Sequence, residues 1–114
     1  MTLNPFQKIE EISHNIGENC KAWKDQQSQH RSLLRQKDRL LSTLACEFRQ
    51  AGHPIEYCKW MAKAHESVEE LDKKIDETDF AEGQSFAIYE EARYYADLFR
   101  TVEVSERVEK QYMR

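Results

Sequence analysis

Four residues able to ligate a borderline metal cluster in one stretch of the sequence: Cys46, His53, Cys58 and His65, spaced C-x6-H-x4-C-x6-H. The inventory is that of a Cys2His2 zinc site, whose ligands all lie about 2.0–2.3 Å from one ion. The spacing works against it, because residues seven apart on a helix are separated by about 10 Å along its axis. Only a His53 swung in from a turn could join Cys58. The plainer expectation is an imidazole at a helix end and small thiols used as apolar filler. A second pattern, Glu11-Ile12-Ser13-His14, matches the E-x-x-H ligand pair of carboxylate-bridged di-metal bundles, which need two such pairs and two further Glu. No second copy exists, since Gln27, Gln50 and Ala62 stand three before His30, His53 and His65. No Ser, Cys or Lys sits in a recognisable nucleophile frame, and no glycine-rich phosphate loop occurs. The residues therefore predict no catalytic group, no metal and no cofactor: the chain reads as not an enzyme.

Charge is the more informative signal. Residues 31–50 carry Arg31, Arg35, Lys37, Arg39 and Arg49 against Asp38 and Glu47, whereas residues 77–114 carry nine acids against five bases. Arg31, Arg35 and Arg39, each four apart, share one helix face and could grip phosphates or an acidic partner. The net charge of -4 and pI near 5.6 run against a nucleic-acid binder, whose surface is usually dominated by basic residues. Pairing of the ridge with acidic faces of the bundle or of a partner is the expectation. Between Glu66 and Glu82 lies an acidic region that includes Glu69, Glu70 and Asp76. It could fill the basic groove of a nucleic-acid-processing complex and block it, although such regions are more often solvated faces. Tyr57, Trp60, Tyr94, Tyr95 and Tyr112 are large residues of the kind that anchor interfaces. Trp60 stands one residue outside the Cys58, Met61, His65 face and otherwise would pack on the third helix.

The elements that must position these residues are helices. Three Gly and two Pro in 114 residues leave few breaks. Asn4-Pro5 is a helix start, a capping residue followed by Pro at the first helical position. From there Ile9, Ile12, Ile16, Trp23, Leu33, Leu40 and Leu44 fall on a 3-4 grid, interrupted by Asn19, Gln26, His30 and Lys37. A break near 25–28 would make two helices of this one; without Gly or Pro, continuity is expected. Ala51-Gly52-His53-Pro54 is the clearest turn. The second helix is expected from Pro54 to Asp76 with Ile55, Cys58, Met61, Ala64, His65, Val68, Leu71 and Ile75 on one side. Glu69 with Lys73, and Glu70 with Lys74, are ordered as i,i+4 pairs. Thr78-Asp79 offers a cap for a third helix, with the stripe Ile88, Ala92, Tyr95, Phe99 and Val102. The alternation Thr101-Val102-Glu103-Val104 reads as helix, since a lone short strand would have no partner.

The expected architecture is a single all-α domain over 1–114: an elongated antiparallel bundle with coiled-coil-like packing. Its helices lie over about 5–51, 54–76 and 79–112, or number four if the first is broken. A 39% apolar content supports only a modest core. The first helix would overhang its shorter neighbours, so a homodimer or a larger obligate complex is expected, the homodimer being the simpler. No apolar run is long enough to span a bilayer, no signal layout opens the chain, and three unpaired cysteines suit reduced thiols, which together predict a cytoplasmic protein. The function expected is that of a protein-protein interaction module: an adaptor, regulator or inhibitor that meets its partner through Trp60, Tyr57, Glu69, Glu70 and Asp76. The alternatives are an acidic inhibitor of a nucleic-acid-processing complex and an accessory nucleic-acid binder using Arg31, Arg35 and Arg39.

Overall fold

The structure, a computed structural model, describes residues 4–112; residues 1–3 and 113–114 lie outside that range. Three helices account for nearly all of it, α1 (Pro5–Gln50), α2 (Ile55–Lys63) and α3 (Glu66–Tyr112), with no strand among the described residues. The all-α class is the one the 3-4 periodicity predicts.

Both ends of α1 are set by local chemistry. The Gln7 backbone N–H donates to Asn4 Oδ1 at 2.8 Å, and the Asn4 N–H donates to Gln7 Oε1 at 3.2 Å. This reciprocal box satisfies N–H groups that the first turn cannot pair internally. At the other end Gly52 takes φ +97°, a left-handed conformation that a Cβ disfavours. Its N–H donates to the Arg49 carbonyl and the next N–H, of His53, reaches back to the Phe48 carbonyl. That pair of bonds is the Schellman arrangement, and it consumes carbonyls the helix end would leave bare. Between these ends α1 runs unbroken through residues 25–28.

The later boundaries differ from those expected. The helix predicted over 54–76 ends at Lys63, and α3 begins at Glu66 and continues through 76–79 to Tyr112. His65 makes the break. Its Nδ1 accepts the Ser67 N–H at 3.1 Å, and its carbonyl accepts from Val68 and Glu69, so His65 serves as the N-cap although it is not a usual capping residue. Conversely, Thr78 caps nothing: its hydroxyl donates to the Lys74 and Ile75 carbonyls one turn back, a bond made inside a continuing helix. Gly83 is helical too. With α3 at 47 residues and α1 at 46, the overhang expected of the first helix is withdrawn.

Contacts divide the chain into two compact units, Lys24–Gly83 and Met1–Trp23 with Gln84–Arg114. In the first, α1 and α3 run antiparallel, as the pairs Leu44 with Val68, Lys37 with Asp72 and His30 with Glu82 require. Here α2 adds a third surface. Buried Leu44, Ala62 and Val68 form a cluster, with Leu40, Leu41, Ala45 and Phe48 packed on it. In the second unit two antiparallel segments meet without a third helix among the described residues. Trp23 packs on Phe86 at 4.9 Å and stacks on Tyr89 at 5.5 Å between ring centroids, and Lys8 lies over the Tyr95 ring. Ile12 is its buried aliphatic residue.

Candidate interaction surfaces

Along α1 the less exposed positions include Ile12, Ile16, Asn19, Trp23, Gln26, His30, Leu33, Lys37, Leu40 and Leu44, an unbroken 3-4 alternation. The polar residues that interrupt the sequence pattern therefore lie on the seam itself. Two of them have partners on α3: His30 Nδ1 meets Glu82 Oε2 at 2.9 Å, and Lys37 Nζ meets Asp72 Oδ1 at 2.6 Å. Partly buried polar pairs of this kind give little net stability but penalise the alignments that would leave them unpaired.

The outer surface of α2 is of the opposite kind. Its inner face buries Cys58 and Ala62, whose positions four apart bring them one above the other. Trp60 remains 79% exposed and Tyr57 62% exposed. Trp60 thus does not pack on the third helix. A groove of about 470 Å³ beside it is lined by Glu56, Tyr57, Trp60, Met61 and Ala64, and Lys59 and Lys63 flank the indole on a neighbouring groove. Two exposed aromatic rings with cationic and anionic neighbours make up this patch, a composition enriched at interfaces in general.

The charged residues singled out by their spacing, Arg31, Arg35, Arg39, Glu69, Glu70 and Asp76, fall on solvated faces. Arg31, Arg35 and Arg39 are exposed, and no carboxylate lies within 4.0 Å of them among the described residues. The internal pairing expected of this ridge is not found. Glu69, Glu70 and Asp76 are exposed as well. The expected Glu69–Lys73 and Glu70–Lys74 pairs are not within ion-pair distance, in keeping with the weak pull between such groups in water.

Cys46, His53, Cys58 and His65 do not converge. Cys46 is exposed; the buried Cys58 thiol points to the His53 carbonyl at 3.5 Å, and His65 is occupied as a cap. Glu11 and His14 are both exposed. The ligand-type atoms that do gather, all within 4.8 Å of one another, belong to His30, Asp79 and Glu82. Sequence reasoning misses this trio because Thr78-Asp79 has the composition of a helix boundary. Carrying the 3-4 step from Ile75 through Thr78 places Glu82 on the same face.

Set against protein-family models, curated proteins and solved structures, the chain shows no significant match to any. No helix of the described residues is long and apolar enough to cross a membrane.

Proposed function

We propose that this chain is a non-enzymatic protein-protein interaction module whose principal contact is the outer face of α2. One observation carries the reading: Trp60 and Tyr57 are bare on a nine-residue helix whose other face is buried. A short helix held by Cys58 and Ala62 presents its aromatic side chains at little further loss of freedom, the condition under which an anchor is effective. The partner is a protein with an apolar pocket for the indole and an acidic rim facing Lys59 and Lys63. Glu69, Glu70 and Asp76 act through long-range steering of approach. Free thiols at Cys20, Cys46 and Cys58 fit a reducing, cytoplasmic setting.

Self-association belongs to the same reading, on a different surface. Ile88, Tyr95, Leu98 and Val102 lie along one side of α3, all exposed, in a unit with Ile12 as its buried aliphatic residue. A second copy laid on this stripe would bury it symmetrically. Light scattering should then report twice the chain mass, and Tyr95→Glu with Leu98→Glu should return it to one.

The test of the main reading is capture from native cells with wild-type chain and with Trp60→Ala, both confirmed as folded by circular dichroism. A specific partner should be retained by the wild type and fall by roughly tenfold or more with Trp60→Ala, the size of one anchor residue. Equal retention by the two would remove α2 as the contact. A second reading, that Arg31, Arg35 and Arg39 hold nucleic acid, is favoured by their exposure without carboxylate partners. It requires salt-sensitive retention on DNA that is lost when the three become Glu.

A further inference from the structure

We propose that His30, Asp79 and Glu82 bind one zinc ion and so tie α1 to α3 within the Lys24–Gly83 unit. Asp79 and Glu82 lie three apart on α3, hence on one face, and His30 comes to them from α1. Their ligand atoms are all within 4.8 Å of one another. Ligands about 2.0–2.1 Å from a tetrahedral ion stand about 3.3–3.5 Å apart, so side-chain shifts of about 1 Å, chiefly at Asp79, would close the set. Zinc takes the place of the proton between His30 Nδ1 and Glu82 Oε2, 2.9 Å apart; a doubly protonated ring releases that proton to solvent and a singly protonated ring carries it on Nε2 instead, so the bound imidazole is neutral in either case.

The donor set selects the ion. One imidazole nitrogen with two carboxylate oxygens suits zinc and its first-row neighbours, whereas calcium and magnesium favour oxygen alone. Access and placement agree. His30 and Glu82 are about four-fifths shielded, at 20% and 21% side-chain exposure, while Asp79 is exposed and opens the site to solvent. A water completes the coordination there. Asp79 is not otherwise engaged. It caps no helix, because α3 runs through it, and it makes no ion pair among the described residues.

The position also gives the ion something to do. Around it the seam is polar, with Gln26 and His30 on α1 and Thr78 and Glu82 on α3 among the shielded positions. Polar groups take up these seam positions, and a ligand that binds only the folded pairing adds its binding free energy to stability.

Metal-free 114-residue chain, prepared with a chelator, is titrated with zinc chloride in competition with a chromophoric chelator, and the melting temperature is followed in parallel. The expected result is one zinc per chain and a rise in melting temperature on binding. Asp79→Asn, an exposed change that preserves the His30–Glu82 pair, should weaken binding by roughly tenfold or more and leave the metal-free melting temperature unmoved. His30→Leu should abolish binding, while Cys46→Ser and His53→Gln should leave it intact. Absence of zinc binding by the wild type would overturn the proposal. So would binding that survives Asp79→Asn and His30→Leu, or binding lost with Cys46→Ser or His53→Gln.

Discussion

The two units solve the same problem with different means. In Lys24–Gly83 a third helix is present, and α2 lets Leu44, Ala62 and Val68 bury one another almost completely. In the unit formed by Met1–Trp23 and Gln84–Arg114 two helical segments meet alone, and a pair of cylinders in contact can hide only a narrow strip of each. That unit relies on breadth of side chain instead: the Trp23 ring spans both Phe86 and Tyr89. The difference shows what nine residues of α2 contribute. They convert a seam into a core at one place, and where they are missing Ile88, Tyr95, Leu98 and Val102 stay in water.

The sharpest way to break the comparison is truncation in each unit. Leu44→Ala removes a side chain surrounded on several sides and should destabilise by about 2–5 kcal/mol, measured by urea unfolding. Trp23→Ala deletes more atoms from a site that is only half-buried, so we expect about 2 kcal/mol, below the roughly 3–5 of a buried Trp. A loss at Trp23 exceeding that at Leu44 would mean that the aromatic stack, not the α2-covered cluster, is the main support of the fold. Smaller still is a pair of identical substitutions with opposite sign. Gly52→Ala places a Cβ at φ +97° and should cost about 1 kcal/mol, whereas Gly83→Ala, in a helix with no atom near the new methyl, should stabilise by about 0.5–1 kcal/mol. Equal shifts at both glycines in thermal melting would contradict the turn geometry that brings α2 onto the cluster.

Much of this is legible in the residue order. The seam of α1, with its interruptions, is visible from Ile12 to Leu44, as are the Asn4 cap and the Gly52 turn, because each has a local cause written in a few neighbouring residues. The break at Ala64-His65 is not, since no Gly or Pro marks it and the capping group is an imidazole. On α3 the expected stripe Ile88, Ala92, Tyr95, Phe99, Val102 shares only Ala92 and Phe99 with the shielded one, which runs Ser85, Tyr89, Ala92, Ala96, Phe99, Glu103. Hydrophobicity points to the larger residues. Packing instead admits small Ala96 and Ser85 where helices approach closely, and it takes Tyr89 because Trp23 stacks on it. Of the surfaces, Trp60 and Tyr57 can be picked out as rings off the seam, but the meeting of His30 with Asp79 and Glu82 depends on the pairing of distant segments and on α3 being continuous.

The hydrogen bond between His30 and Glu82 also acts as a ruler. Sliding α3 along α1 by one heptad in either direction would set His30 opposite Ile75 or Tyr89 and strand both an imidazole and a carboxylate. Repeating seams offer neighbouring registers in which to pair, and the layers of His30 with Glu82 and of Lys37 with Asp72 single out one of them.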